Sequence, residues 1–168
     1  VYKHGDKKNI LKLLSPGFAL FVFVSLLFVL LFWITKPMLS QWDEFTVWGT
    51  AAKVISGQWQ LYPAAPGNLL AVSQAPGLPV LSYMMQFFSF GFAEYTLIAA
   101  YAVLYVACFA AGAGLWGKNR AGAVVAMGGM LLLPLLLEPR NGAVSWAYMS
   151  GLADLPLGVL FGGALCLY

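Results

Sequence analysis

The chain has 168 residues, 61% of them hydrophobic and only 9% charged, with a mean hydropathy of +0.82 and a net charge of +3. Soluble domains carry about a quarter charged residues, so this balance excludes an ordinary water-soluble globule and points to a membrane protein. Lys3, Lys7, Lys8 and Lys12 crowd the N-terminus, which fits a flank facing anionic lipid and gives no sign of a nucleic-acid surface.

The first apolar run, residues 16–35 (PGFALFVFVSLLFVLLFWIT), is long enough to cross a bilayer at about 1.5 Å per residue. Phe32 and Trp33 end it as an interfacial belt would, where a signal peptide would carry a small-residue cleavage site. A retained helix is therefore expected. Lys36 follows as a snorkelling anchor.

Residues 41–56 come next. Trp42, Phe45, Trp48, Ala52, Ile55 and Trp59 recur at three- and four-residue spacing, with Asp43, Thr46, Thr50 and Lys53 on the opposite stripe. Such a helix should lie in the membrane interface, ended by Gly57 and by Pro63, Pro66 and Gly67. A second interfacial helix is expected over 78–92, lying on the outer leaflet or dipping into it. Spans are then expected over 95–116, 121–137 and 154–168. Cys108 and Cys166, the two cysteines, both fall in apolar runs, so no stabilising disulfide is expected. The start at Val1 and the stop inside an apolar run are expected of an N-terminal piece of a larger membrane protein, or of a trimmed or truncated product.

Charge selects the threading. With the N-terminus cytoplasmic and 36–94 kept as one outer loop, Lys118 and Arg120 fall inside with the basic tail, as the positive-inside rule prefers. Asp43, Glu44, Glu94, Glu138 and Asp154 then all face the far side. The expected fold is all-α: a single polytopic helical membrane bundle whose first outer loop contains an amphipathic interfacial helix.

The acidic pair Asp43–Glu44 is the first candidate site. Ser40 to Asp43 fits a capping box, which accounts for one carboxylate. A second carboxylate beside it at a membrane edge costs solvation unless a cation, metal or substrate compensates. Asp154, in GLADLPLG, has a plain reading as a helix start ahead of Pro156. On the threading above it shares a face with Asp43 and Glu44, so three carboxylates could gather around a divalent cation, or one could act as general base. Arg140 and Lys53 are the outer cations suited to a phosphate, Arg140 being equally a partner for Glu138. Gly158-x-x-x-Gly162 reads as a helix-packing motif. No phosphate-cradling glycine loop, metal-spaced His/Cys set or nucleophile elbow is present in the sequence.

Taken in order, a first membrane helix, WDEFTVWG (42–49), an interfacial helix, QAPGLP (74–79) and a later Asp opening the fourth span resemble the membrane glycosyltransferases of the GT-C superfamily. That superfamily includes the dolichyl-phosphate-mannose–protein mannosyltransferases and the bacterial aminoarabinose transferases. The likeness covers residues 16–160 and is nearest to a bacterial branch with W-D-E-F/Y-x-x-W-G and Y-P-P-G-x-x-L elements. Here Gln74-Ala75-Pro76-Gly77 stands at the second element: the Pro76-Gly77 turn remains, without the aromatic and the first proline. The resemblance implies a sugar transfer from a polyprenyl-phosphate donor lipid to a glycan, lipid or protein acceptor on the extracytoplasmic side of a bacterial inner membrane. It implies Asp43 as general base and Glu44 as its orienting partner or a metal ligand. Asp154 would belong to the acceptor or metal site, Arg140 and Lys53 to the donor phosphate, and Pro76 and Gly77 to a substrate loop. Magnesium or manganese would be the cofactor if Asp43, Glu44 and Asp154 hold one. The alternatives are a transporter or flippase of a lipid-linked or anionic substrate, separable by how deep its acids lie, and a non-catalytic membrane subunit.

Overall fold

The computed structural model describes residues 16–59, 77–89, 91–114, 119–137, 148 and 154–167. Among these residues every regular element is helical. Helix α1, Pro16–Thr35, opens on a proline, whose missing N–H is harmless in a first turn, and contains no charge. It stops where Lys36 turns left-handed (φ 46°), its N–H closing on the Phe32 carbonyl at 2.8 Å, and Pro37 follows. Lys36 is thus the helix terminator as well as an exposed cation.

After a short non-helical stretch, Trp42 and Asp43 begin a helix that widens to a π-helix over Glu44–Gly49 and continues as α2, Thr50–Gln58. Helix α3 covers Gly77–Gln86, α4 Glu94–Gly114, α5 Arg120–Leu137 and α6 Asp154–Leu167. Asn119 caps α5, its side-chain oxygen accepting the Gly122 N–H at 3.0 Å.

Helix α4 is central, packing against α1, α3, α5 and α6. Its alanines, with Ala99, Ala100, Ala102, Ala110 and Ala113 all buried, let neighbours approach closely. Helices α1 and α4 are antiparallel. At one end Gly17 lies so near α4 that a Cβ there would stand 2.8 Å from the Ala110 carbonyl oxygen and 3.4 Å from Gly114 Cα. At the other end the Leu39 N–H, just past α1, donates to Glu94 Oε2 at 2.8 Å. Two apolar clusters follow from this pairing. One gathers Phe32, Leu39, Leu78, Leu97 and Tyr101; the other gathers Val106, Ala110, Ala123 and Met127 with Phe21 against them.

Two helices, α1 (mean hydropathy 2.8) and α4 (1.9), are long and apolar enough to cross a membrane; shorter apolar stretches lie over Arg120–Leu132 and Pro156–Leu165. Helix α1 leaves Phe23, Leu26, Leu30 and Ile34 uncovered, a continuous apolar face that water would penalise and lipid would not.

Three sequence expectations change. The helix expected over 78–92 ends at Gln86, because the Gln86 side chain takes both backbone groups of Ala93: Oε1 accepts the Ala93 N–H at 2.8 Å and Nε2 donates to its carbonyl at 3.2 Å. Ser89 and Gly91 (φ 140°) complete the turn. Helix α3 therefore runs back along the first half of α4, with Gln86 beside Ala93 and Leu81 sharing a cavity with Leu104. Second, the aromatic stripe does not form one face. Trp48, Ala52 and Ile55 turn inward, while Trp42, Phe45 and Trp59 are exposed. The cause is the π-segment, whose wider turn rotates the residues after Gly49 out of the register that a 3.6-residue repeat assumes. Its end is also shifted: the left-handed cap is Trp59 (φ 56°), not Gly57. Third, a Cβ on Gly158 or Gly162 would meet nothing within 4 Å, so that pair makes no helix contact among the described residues, and Gly163 instead approaches Cys108.

Candidate functional site

The adjacent acids 43 and 44 part company. Glu44 is 0% exposed. Its Oε2 accepts the backbone N–H of Ser40 at 2.6 Å and of Gln41 at 2.9 Å. A carboxylate reaching back to free N–H groups ahead of a helix is the second half of a capping box. The residue that performs it is Glu44, and Asp43 makes no side-chain capping bond. Asp43 instead lies exposed one position earlier. Consecutive helical positions sit about 100° apart, which suffices to send one carboxylate inward and leave its neighbour at the surface.

Glu94 supplies the matching clamp from α4. With Glu44 on Ser40 and Gln41 and Glu94 on Leu39, three successive N–H groups are held by two carboxylates. This is the stretch that delivers Asp43, so its backbone is fixed from both sides. Gly49 tightens the arrangement, since a Cβ there would come 2.5 Å from Leu39 Cδ1 and 2.7 Å from the Glu44 carbonyl oxygen.

Beneath the clamp lies a buried polar seam. Tyr101 on α4 has Ser82 of α3 and the Glu44 carboxylate close enough to act on its hydroxyl. The Ser82, Tyr101 and Tyr105 hydroxyls are all buried without a hydrogen bond of ordinary geometry. The Tyr105 ring lies 5.8 Å from Tyr148, whose hydroxyl donates to the Leu131 carbonyl at 2.7 Å. Glu94, Ser82 and Tyr101 were not singled out by the sequence. The available signal was the Tyr101/Tyr105 pair, four residues apart in an otherwise apolar span.

Of the other candidates, Lys53 is exposed on α2 with its Nζ 6.0 Å from the centre of the Phe92 ring. Gly77 opens α3 and borders an apolar cavity of about 320 Å³ shared by Trp48, Leu104, Leu157 and Leu160. That cavity brings the first turns of α6 to the π-segment, so Asp154, the first residue of α6, opens the helix that packs there. The Asp154 side chain, Arg140, Glu138, Lys118 and Pro76 lie outside the described residues. Among the described residues no three His, Cys, Asp or Glu side chains gather as metal ligands. Asp43 and Glu44 face different surroundings, and Glu44 Oε2 is already engaged by two N–H groups, so these two do not by themselves fit a shared cation.

Compared with protein-family models, with curated proteins and with solved structures, the chain gives no match.

Proposed function

We propose that this chain is the N-terminal part of a polytopic membrane glycosyltransferase that moves a sugar from a polyprenyl-phosphate donor to an acceptor on the extracytoplasmic side. The observation that carries the reading is the division of labour in the acidic pair: a buried Glu44 clamping the backbone and an exposed Asp43 on the stretch so clamped. A carboxylate that must take a proton from an incoming hydroxyl needs access to the acceptor and a fixed position. Asp43 has both.

In this mechanism Asp43 accepts the proton of the acceptor hydroxyl as its oxygen bonds to the anomeric carbon. The bond from that carbon to the donor phosphate oxygen breaks in line, and the lipid phosphate leaves with its electron pair. Inversion follows. Arg140 is the cation proposed to meet the phosphate, Lys53 is the second cation on offer, and Asp154 is proposed to orient the acceptor. A divalent cation would require the Asp154 carboxylate beside Asp43, and no step above depends on one. In the full-length protein, Asp43→Asn should abolish transfer while expression and donor-lipid binding persist. Activity near wild type would remove the base assignment.

One observation favours a transporter instead. Glu44 is fully buried beside the start of α4, and buried acids in membrane proteins serve proton or ion translocation. Glu44→Gln separates the readings: it should stop proton-coupled uptake in a transporter and only loosen the fold in a transferase.

A further inference from the structure

Between α2 and α3 lies a cleft of about 480 Å³ lined by Lys53, Ser56, Trp59, Tyr83, Phe87 and Ser89, within the size range of small-molecule sites. Its wall is a run of rings: Trp59 stands edge-on to Tyr83 at 6.0 Å, and Tyr83 to Phe87 at 5.3 Å. Trp59 is 76% exposed, so much of its indole is uncovered. It also holds a left-handed backbone (φ 56°), a conformation that a bulky residue adopts at a cost and that glycine would take freely.

The polar groups around these rings are available. Among the described residues Lys53 meets no carboxylate, its one neighbour of note being the Phe92 ring, and the Tyr83 hydroxyl makes no hydrogen bond. Ser56 and Ser89 donate to nearby carbonyls and keep their lone pairs to accept. Gly91, at φ 140°, lets the chain pass under the cleft where a side chain would be strained. An aromatic wall binds the C–H face of a pyranose, hydroxyls bind its rim, and a lysine with no acidic partner among the described residues can take an anion.

We propose that this cleft is a subsite for an anionic saccharide, a sugar ring on Trp59 with its phosphate or carboxylate on Lys53. The proposal rests on the transferase reading and deepens it: the cleft takes the acceptor, whose class is then an acidic glycan or glycolipid, and Lys53, the second cation on offer for the donor phosphate, serves the acceptor instead while Arg140 alone serves the donor.

The test is equilibrium binding to the full-length protein in nanodiscs, followed by Trp fluorescence, with glucose 1-phosphate, glucose and inorganic phosphate as probes. Glucose 1-phosphate should bind tightest. Lys53→Gln should weaken it by about tenfold and Trp59→Ala by at least as much. Trp59→Gly accepts φ 56° without strain, so it should lose binding while far-UV circular dichroism and melting stay near wild type. If inorganic phosphate binds as well as the sugar phosphate, or if Trp59→Gly and Lys53→Gln bind normally, the proposal is overturned. Loss of binding to competing phosphatidylglycerol would assign the cleft to a lipid headgroup and likewise overturn it. If the wild-type protein transfers no sugar from a polyprenyl-phosphate donor while these variants lose binding, the transferase reading fails and the saccharide site stands.

Discussion

Asp43 and Glu44 differ by one methylene in chemistry and by everything in surroundings, which predicts opposite mutational profiles. Glu44→Gln replaces a charged acceptor by a neutral one facing two N–H groups. Hydrogen bonds to charged groups contribute about 1.5–3 kcal/mol each against less for neutral ones, so the variant should lose about 2 kcal/mol of stability. Asp43→Asn removes no side-chain bond of the helix start and is exposed, so it should stay within about 0.5 kcal/mol of wild type. Thermal unfolding of both variants in the same detergent measures the contrast; equal losses would contradict the division described above. Glu94→Gln should behave like a weaker Glu44→Gln, because it holds one N–H instead of two. Since both acids fix the single stretch 39–41, their effects should couple by about 0.5 kcal/mol or more in a double-mutant cycle.

At the scale of elements, glycine positions separate real contacts from apparent ones. Gly49→Ala drives a methyl into Leu39 and into the backbone carbonyl of Glu44, and the carbonyl cannot swing aside without opening the π-turn. A loss of about 1–3 kcal/mol is expected, with Leu39→Ala relieving only the side-chain half of the clash. Gly17→Ala meets the Ala110 carbonyl and should push α1 from α4 at a similar cost. Gly158→Ala meets nothing and should stabilise α6 by about 0.5–1 kcal/mol through helix propensity alone. The contrast between Gly17 and Gly158 also shows what the sequence made legible. Long apolar runs declare helices because a chain in lipid must satisfy its own backbone, and the runs beginning at residues 16, 95, 121 and 154 coincide with α1, α4, α5 and α6. Which glycine sits at a crossing depends on the partner helix, which no local pattern records. The π-segment was hidden for the same reason. Its register is set by Glu44 reaching back to Ser40 and by Leu39 against Gly49, contacts that a fixed 3.6-residue period misreads. Of the site, the acidic pair was visible as an excess of charge at an apolar boundary. Glu94 and Tyr101 were not, because each becomes polar machinery only once α4 lies against the loop.

At the scale of the whole molecule, the antiparallel pairing of α1 and α4 bears directly on the proposed topology. Gly17 meets Ala110 and Gly114 at one end, and Leu39 meets Glu94 at the other, so the segment 36–94 leaves and returns at one end of the pair. If both helices span, Phe45 and Arg120, both exposed, belong to opposite faces of the membrane. Basic residues favour the cytoplasmic side, which would put Arg120 in with the lysine-rich N-terminus and Phe45 out with Asp43. In a background with Cys108 and Cys166 changed to Ala, Phe45→Cys should react with a membrane-impermeant thiol reagent added to intact cells. Arg120→Cys should react only after permeabilisation. Labelling of both from outside would mean that α4 does not cross, and the α1–α4 pair would then be a hairpin lying against the bilayer. Labelling of Arg120→Cys alone would keep the hairpin spanning but turn it over. That outcome would carry Asp43 to the cytoplasmic face and remove the geometric reason for a lipid-linked donor presented outside.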